Sequence, residues 1–235
     1  MTAIIFDIDG TLTDTIKVDD KCFIKAFKNV FGIDISNQNW SEFINVTDWG
    51  ITEELILKHK NRIPTVIEYQ KMISEFVTLL QYELNTNKNQ FKEIKGALNF
   101  IEYLKSKSKS NLEIGIATGG WEKSAVLKLK SIGINALDFA FSNSNHFKTR
   151  EDIVSDVIHK LNQKHKHKIN KVIYFGDGIW DYKTCKKLGI EFIGIDNSKN
   201  NKLNNIGAKT IYKNFSDYRL IYKNLKMKEN TIFRI

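Results

Sequence analysis

One recurring pattern constrains this chain more than any other. A short, largely apolar segment rich in β-branched and aromatic residues ends abruptly in polar residues or glycine, and a stretch with helical spacing follows. Ala3-Ile4-Ile5-Phe6 runs into Asp7-Ile8-Asp9-Gly10-Thr11, Leu112–Ala117 into Thr118-Gly119-Gly120, and Val172–Phe175 into Gly176-Asp177-Gly178. Phe192–Ile195 is a further apolar segment, and Leu137–Phe141 and Lys209–Tyr212 are weaker ones. Between them, Ala97–Lys105, Lys123–Ile132, Glu151–Leu161 and Tyr182–Leu188 carry helical spacing. Gly133 and Gly189 stand where a helix ends in a left-handed residue. Continuous apolar strands alternating with helices predict an α/β fold: a Rossmann-like parallel sheet core with helices on both faces.

Residues 15–93 break that rhythm. Asp19–Phe31 places Cys22, Phe23, Ala26, Phe27, Val30 and Phe31 on one helical face, and helices are expected again at Thr52–Lys60 and Thr65–Leu84, the last starting near Pro64. No strand pattern lies among them. The expected organisation is therefore an α/β core from 1–14 and 94–235, with an all-helical domain at 15–93 inserted after the first strand. The segment Lys199–Gly207 reads as a polar loop, and a helix is expected at the end of the chain.

At 235 residues the chain suffices for one such domain with an insertion. Its composition, 42% hydrophobic and 27% charged, excludes wholesale disorder. No apolar run approaches the roughly 20 residues of a membrane-spanning helix, and the opening apolar run is too short for a secretory signal, so a cytoplasmic location and no membrane partner are expected. Cys22 and Cys185 lack zinc-ligand spacing and read as buried hydrophobes in a reducing compartment, with a single disulfide as the alternative. The formal charge of +9 rests on dispersed lysines, with local clusters at 105–109 and 164–168. Dispersion of this kind predicts no specific nucleic-acid partner, because recognition of that sort concentrates basic residues on one face.

The chemistry gathers where the strands end, the edge at which open parallel sheets bind ligands. Asp7 and Asp9 lie two apart on a turn released by Gly10, which suits one carboxylate to attack phosphorus and the other to exchange a proton. The Thr118 hydroxyl and the backbone N–H groups of Gly119 and Gly120 suit a phosphate oxygen, although a helix cap explains them equally well. Lys148 precedes a helix and offers a fixed positive charge. Asp177 and Asp181 are hard oxygen donors suited to Mg²⁺. Asp181 is equally suited to capping the helix that follows.

Taken in order along the chain, these four clusters resemble the motifs of the haloacid dehalogenase superfamily, and the resemblance spans nearly the whole sequence. The helical insertion resembles the cap of the subgroup containing phosphoglycolate phosphatases and β-phosphoglucomutase. The resemblance implies Asp7 as nucleophile and Mg²⁺ ligand, Asp9 as general acid/base with its backbone carbonyl on the metal, and Thr118 with the Gly119 N–H as phosphoryl holder. It further implies Lys148 as the neutralising charge, Asp177 as a direct ligand, and Asp181 acting on the metal from behind it. Many relatives follow the third-motif lysine with Pro-x-Pro, whereas Thr149-Arg150-Glu151 follows here, which makes Arg150 the reserve for Lys148.

The expected function is a Mg²⁺-dependent phosphatase acting on a small phosphorylated metabolite, whose cap closes over the cleft and sets specificity. The turn Asn45–Thr52 supplies the cap candidates, Asp48 and Trp49. Trp49 either contacts the leaving group or packs between cap helices. The rival enzyme is a phosphomutase. A dehalogenase, which needs no Mg²⁺, fits a chain with Asp9 and Asp177 poorly. A receiver domain is much shorter and lacks a helical insertion, and a catalytically dead binding module is expected to have lost a motif residue. Natural substrate and oligomeric state are not encoded in any pattern of this kind.

Overall fold

The computed structural model describes residues 1–107, 111–164, 168–196, 198 and 201–231, with side chains described through residue 225. Both lysine clusters extend into residues outside that set, at 108–110 and 165–167. Six strands, β1 (Thr2–Phe6), β2 (Leu112–Ala117), β3 (Ala140–Ser142), β4 (Lys171–Gly176), β5 (Glu191–Ile195) and β6 (Ile211–Tyr212), form one parallel sheet in the order β3-β2-β1-β4-β5-β6. This is the Rossmann-like α/β architecture expected. The order reverses beside β1, which opens a crevice at the carboxyl ends of β1 and β4. Phe6 stands in register with Ile116 on one neighbour and Phe175 on the other. Asp7, Thr118 and Asp177 therefore leave the sheet at nearly the same level.

The pleat of β1 splits the core into two layers. Ile4 and Phe6 face one side, where Phe6 stacks on Phe175 at 4.9 Å and meets Phe100 edge-on. That side is covered by α4 (Ala97–Ser106), α5 (Glu122–Ser131) and α9 (Tyr218–Thr231). Ala3 and Ile5 face the other, against α6 (Arg150–Lys164) and α7 (Ile179–Leu188), with Val157, Tyr174 and Cys185. Each large side chain so buried contributes about 1.5–3 kcal/mol.

Between β1 and α4 lie α1 (Ile16–Phe31), α2 (Asp48–Lys60) and α3 (Val66–Thr86). They share a separate apolar core of Val18, Phe23, Phe27, Leu55, Phe76 and Leu80. Trp121, from the loop after β2, is buried in this second core and stacks on Phe23 at 6.0 Å. Local chemistry sets the helix ends. Thr65 and Glu68 form a reciprocal capping box at the start of α3, and Gly32 closes α1 with its N–H on the Lys28 carbonyl.

Three local expectations shift. The segment 45–52 is a turn only as far as Thr47, because the Thr47 hydroxyl accepts from the Gly50 N–H and starts α2 at Asp48. The strand expected at Leu137–Phe141 shrinks to Ala140–Ser142. Asn135 accepts the Leu137 N–H and winds 136–138 into a 3₁₀ turn that leaves Leu137 exposed. Within the segment read as a polar loop, Lys202–Asn205 form one helical turn, α8, anchored by the buried Leu203. Cys22 and Cys185 are both buried and free, so no disulfide joins them. Burial pushes both thiols up, Cys22 to about 12. Among the described residues no helix is long and apolar enough to cross a membrane.

Candidate active site

Asp7 follows the buried strand β1 and keeps sheet geometry, its N–H donating to the Phe175 carbonyl at 2.9 Å. The chain then reverses at Gly10, whose φ of +80° and close packing on Asp177 admit no side chain; a Cβ there would lie 2.5 Å from the Asp177 carboxyl carbon. β1 pairs directly with β4, which sets Asp7 against the end of β4, and the turn packs on Asp177. Asp7, Asp177 and Asp181, all buried, present carboxylate oxygens within 4.8 Å of one another.

Three buried carboxylates so close are costly. Burial, then Asp181, raises the Asp7 carboxyl well above its usual range, while Arg150 opposes the rise. Burial lifts Asp177 to about 6, against the pull of Lys202. The cations beside them are partial counterweights. Arg150 Nη1 lies 2.8 Å from Asp181 Oδ1 and 3.4 Å from Asp7 Oδ1, and Lys202 Nζ lies 2.8 Å from Asp177 Oδ2. Asp181 also accepts from the Gly178 N–H at 2.9 Å, so it caps α7 as well as facing the cluster. Hard oxygen donors crowded and buried in this way fit a divalent cation, which would relieve their repulsion.

Asp7 and Asp177 open into a cleft of about 150 Å³. Thr118, Gly119 and Gly120 form one wall, with the Thr118 hydroxyl accepting the Gly120 N–H at 3.1 Å. The opposite wall belongs to the inserted helices and carries Asp19, Asp20, Asp48, Phe23 and Trp40. Residues 46–48 seal the junction. Asp48 N–H donates to the Gly119 carbonyl, Asp48 Oδ2 accepts the Trp121 N–H, and Arg150 Nε donates to the Val46 carbonyl.

The cleft thus brings together Asp7, Asp9, Asp48, Thr118, Gly119, Asp177 and Arg150. Asp181 joins the carboxylate cluster without lining the cleft, and two candidates lie away from both. Lys148 does not line the cleft; its ammonium pairs with Glu53 on α2, and its carbonyl accepts from the Thr47 hydroxyl. Arg150, two residues on, occupies the place expected of Lys148, because α6 begins there and points the guanidinium along the strand ends. Trp49 packs edge-on against Tyr69 at 5.8 Å and donates to Glu53, so it serves the helical unit's own packing. The Asp9 side chain also stands apart from the triple carboxylate cluster. Its oxygens accept from Thr15 Oγ1 and Lys128 Nζ, each at 2.5 Å.

Several lining or supporting residues escape a reading of motifs: Lys128, Lys202, Asp19, Asp20 and Trp40. Lys128 left a trace in the sequence. On α5 it shares the inward face with Ser124, Ala125 and Leu129, a helical stripe in which a lysine is out of place. Lys202 left none, since its position depends on how the loop after β5 folds back.

Comparison with known proteins agrees with this geometry. No curated protein matches the sequence. Among solved structures, a hydrolase from Pseudomonas syringae is 19% identical with a TM-score of 0.69, covering 90% of this chain and 93% of its own. β-Phosphoglucomutase from Clostridium difficile is 21% identical with a TM-score of 0.68, covering 98% of each chain. CbbY from Rhodobacter sphaeroides, solved in complex with phosphate, is 15% identical with a TM-score of 0.63, covering 91% of this chain and 94% of its own. At such identities the likeness is one of fold. The sequence itself matches the haloacid dehalogenase-like hydrolase family over residues 4–195, which include every cluster at the strand ends, and the chain belongs to that family.

Proposed function

We propose that this hydrolase is a Mg²⁺-dependent phosphatase that cleaves small phosphate monoesters through a phospho-aspartyl intermediate on Asp7. The observation that carries the reading is the convergence of buried Asp7, Asp177 and Asp181 at the switch point of the sheet, with Arg150 alongside. Asp7, Asp177 and Asp181, with the Asp9 carbonyl, would hold the Mg²⁺, which supplies charge to offset that of nucleophile and substrate.

The chain's own residues supply the rest. Asp7 Oδ attacks phosphorus while the leaving oxygen departs in line. The Thr118 hydroxyl and the Gly119 N–H bind non-bridging phosphoryl oxygens, and the Arg150 guanidinium neutralises charge from the side. Asp9 gives a proton to the departing oxygen, then takes one from the water that cleaves the acyl-phosphate. Residues 15–93 act as a cap that excludes bulk water from the acyl-phosphate.

The far wall of the cleft favours hydrolysis over phosphomutase activity. A mutase must hold a second phosphoryl group at the leaving-group end, where this cleft presents Asp19, Asp20 and Asp48. The cations lining it, Arg150 and Lys202, are already committed to Asp7, Asp177 and Asp181. A leaving group that is uncharged or cationic suits this wall, with Phe23 and Trp40 packing against it. The test is release of inorganic phosphate with Mg²⁺ and with excess chelator, for the wild type and Asp7→Asn. Release requiring both Mg²⁺ and Asp7 is expected; release by the Asp7→Asn variant refutes the mechanism, and isomerised ester in place of free phosphate restores the mutase.

A further inference from the structure

The charges around the cleft do not balance. Six carboxyls line it, those of Asp7, Asp9, Asp19, Asp20, Asp48 and Asp177, against two cations, Arg150 and Lys202. Both cations belong to the metal end, where they pair with Asp7 and Asp177. A third cation, Lys128, is fully buried behind the far wall and does not line the cleft; its ammonium lies 2.5 Å from Asp9 Oδ2 and 2.6 Å from Asp19 Oδ1. Asp20 and Asp48 are left over, and among the described residues neither forms an ion pair. Burial, then the charge of Asp9, raises the Asp20 carboxyl to about 6, and burial raises Asp48 to about 7 against the pull of Lys128. Each is short of positive charge in its ionised form.

The same wall supplies the rest of an ammonium site. Asp20 and Phe23 lie three apart on α1, so their side chains project side by side, and both line the cleft. Trp40 meets Phe23 edge-on at 5.9 Å and lines it too. Aromatic rings beside a carboxylate attract an alkylammonium through both the ring quadrupole and direct charge pairing. A hydroxyl gains only a hydrogen bond there, and a second anion is repelled. These groups do not form a separate pocket. They share one cavity with Asp7 and Thr118, and its volume of about 150 Å³ suits a small ester.

We propose that the substrate is the phosphate monoester of a small amino alcohol, whose ammonium group pairs with Asp20 beside Phe23 and Trp40, with Asp48 adding negative charge. The proposal rests on the phosphatase reading and narrows it, since the leaving group is cationic and not merely uncharged. Water still splits the ester, giving inorganic phosphate and the protonated amino alcohol.

The experiment measures phosphate release in Mg²⁺ from three esters of similar size that differ in their end group: 2-aminoethyl phosphate, 2-hydroxyethyl phosphate and phosphoglycolate. Wild-type kcat/KM is expected to be at least about tenfold higher for the amino than for the hydroxy ester, the size of one hydrogen bond to a charged group, and lowest for phosphoglycolate. The ammonium also makes its alcohol a better leaving group, so the variants assign the preference. Asp20→Asn should lower the amino-to-hydroxy ratio about tenfold, chiefly through KM, and Asp20→Lys should place phosphoglycolate above the amino ester. A wild type that favours the hydroxy ester or phosphoglycolate, or a ratio that neither variant moves, would overturn the proposal and leave the phosphatase reading intact. So would release from 4-nitrophenyl phosphate with none from the amino ester. Should Asp20→Asn not fold, Trp40→Leu removes an aromatic face of the same site; a smaller fall in the ratio is then expected, and no fall overturns the idea. A wild type that releases phosphate from none of these esters removes the phosphatase reading and this proposal with it.

Discussion

Arg150 and Lys148 lie two residues apart and invite a direct comparison. Replacing each by Met removes one positive charge at similar length. At an effective dielectric of about 20, the attractions of Arg150 Nη1 to Asp181 at 2.8 Å and to Asp7 at 3.4 Å are about 6 and about 5 kcal/mol before desolvation. Most of that offsets the burial of a guanidinium whose side chain is only 13% exposed. Truncating one partner of a buried pair leaves the remainder uncompensated, at a cost of about 3–5 kcal/mol. Arg150→Met should therefore lower stability by roughly that amount without divalent cation, and reduce phosphate release on the order of 10²–10³-fold, as for a lost charge stabiliser. Lys148 is 38% exposed and pairs with Glu53 at the surface, which is worth at most about 1 kcal/mol. Its backbone bond with Thr47 survives substitution. Lys148→Met should thus change release by no more than about fivefold, the rate equivalent of 1 kcal/mol. Steady-state release in Mg²⁺ and urea unfolding of each variant decide the matter. Loss of release in Lys148→Met, with Arg150→Met within tenfold of wild type, would refute the assignment of the charge to Arg150.

Gly10→Ala should cost at least about 1–2 kcal/mol and abolish most release, since the new Cβ meets Asp177 at 2.5 Å and the φ of +80° is strained for any L side chain; urea unfolding with release alongside checks this. Asp20, raised to about 6 by burial and then by Asp9, binds its proton more tightly folded than unfolded. Its contribution to stability is therefore full below about pH 4 and lost as pH rises through 6, by up to about 3 kcal/mol. Asp20→Asn should flatten the unfolding free energy over that window, and an unchanged pH slope would exclude Asp20 as the source. Across matched esters, a second phosphate or carboxylate on the leaving group should lower kcat/KM by at least about tenfold, because a second anion then meets the Asp20 and Asp48 carboxyls; a preference for bisphosphates would refute an acidic leaving-group wall.

The apolar runs alone dictate the sheet, its parallel sense and the edge where the chemistry collects. Strands such as Ala3–Phe6 and Val172–Phe175 are apolar on both faces, and that pattern admits only a position between helix layers, with the acids expelled at the strand ends. Asp7, Thr118 and Asp177 were legible for the same reason: each immediately follows a strand, so local chain direction alone delivers it to the cleft, and Asp9 lies on the turn just beyond β1. The tertiary structure decided what lies one helix turn or one crossing further away. Whether Lys148 or Arg150 reaches Asp7 depends on where α6 starts, a difference of two residues that no spacing rule resolves. Trp49 faces Tyr69 instead of the cleft because Thr47 begins α2 sooner than the sequence suggests, rotating the ring into the helical unit. The Lys128 bridge joins residues 119 and 109 positions apart. A charge buried by partners so distant in the chain carries no local signal beyond its odd place on an apolar face, because its stabilisation comes entirely from the fold that brings them together.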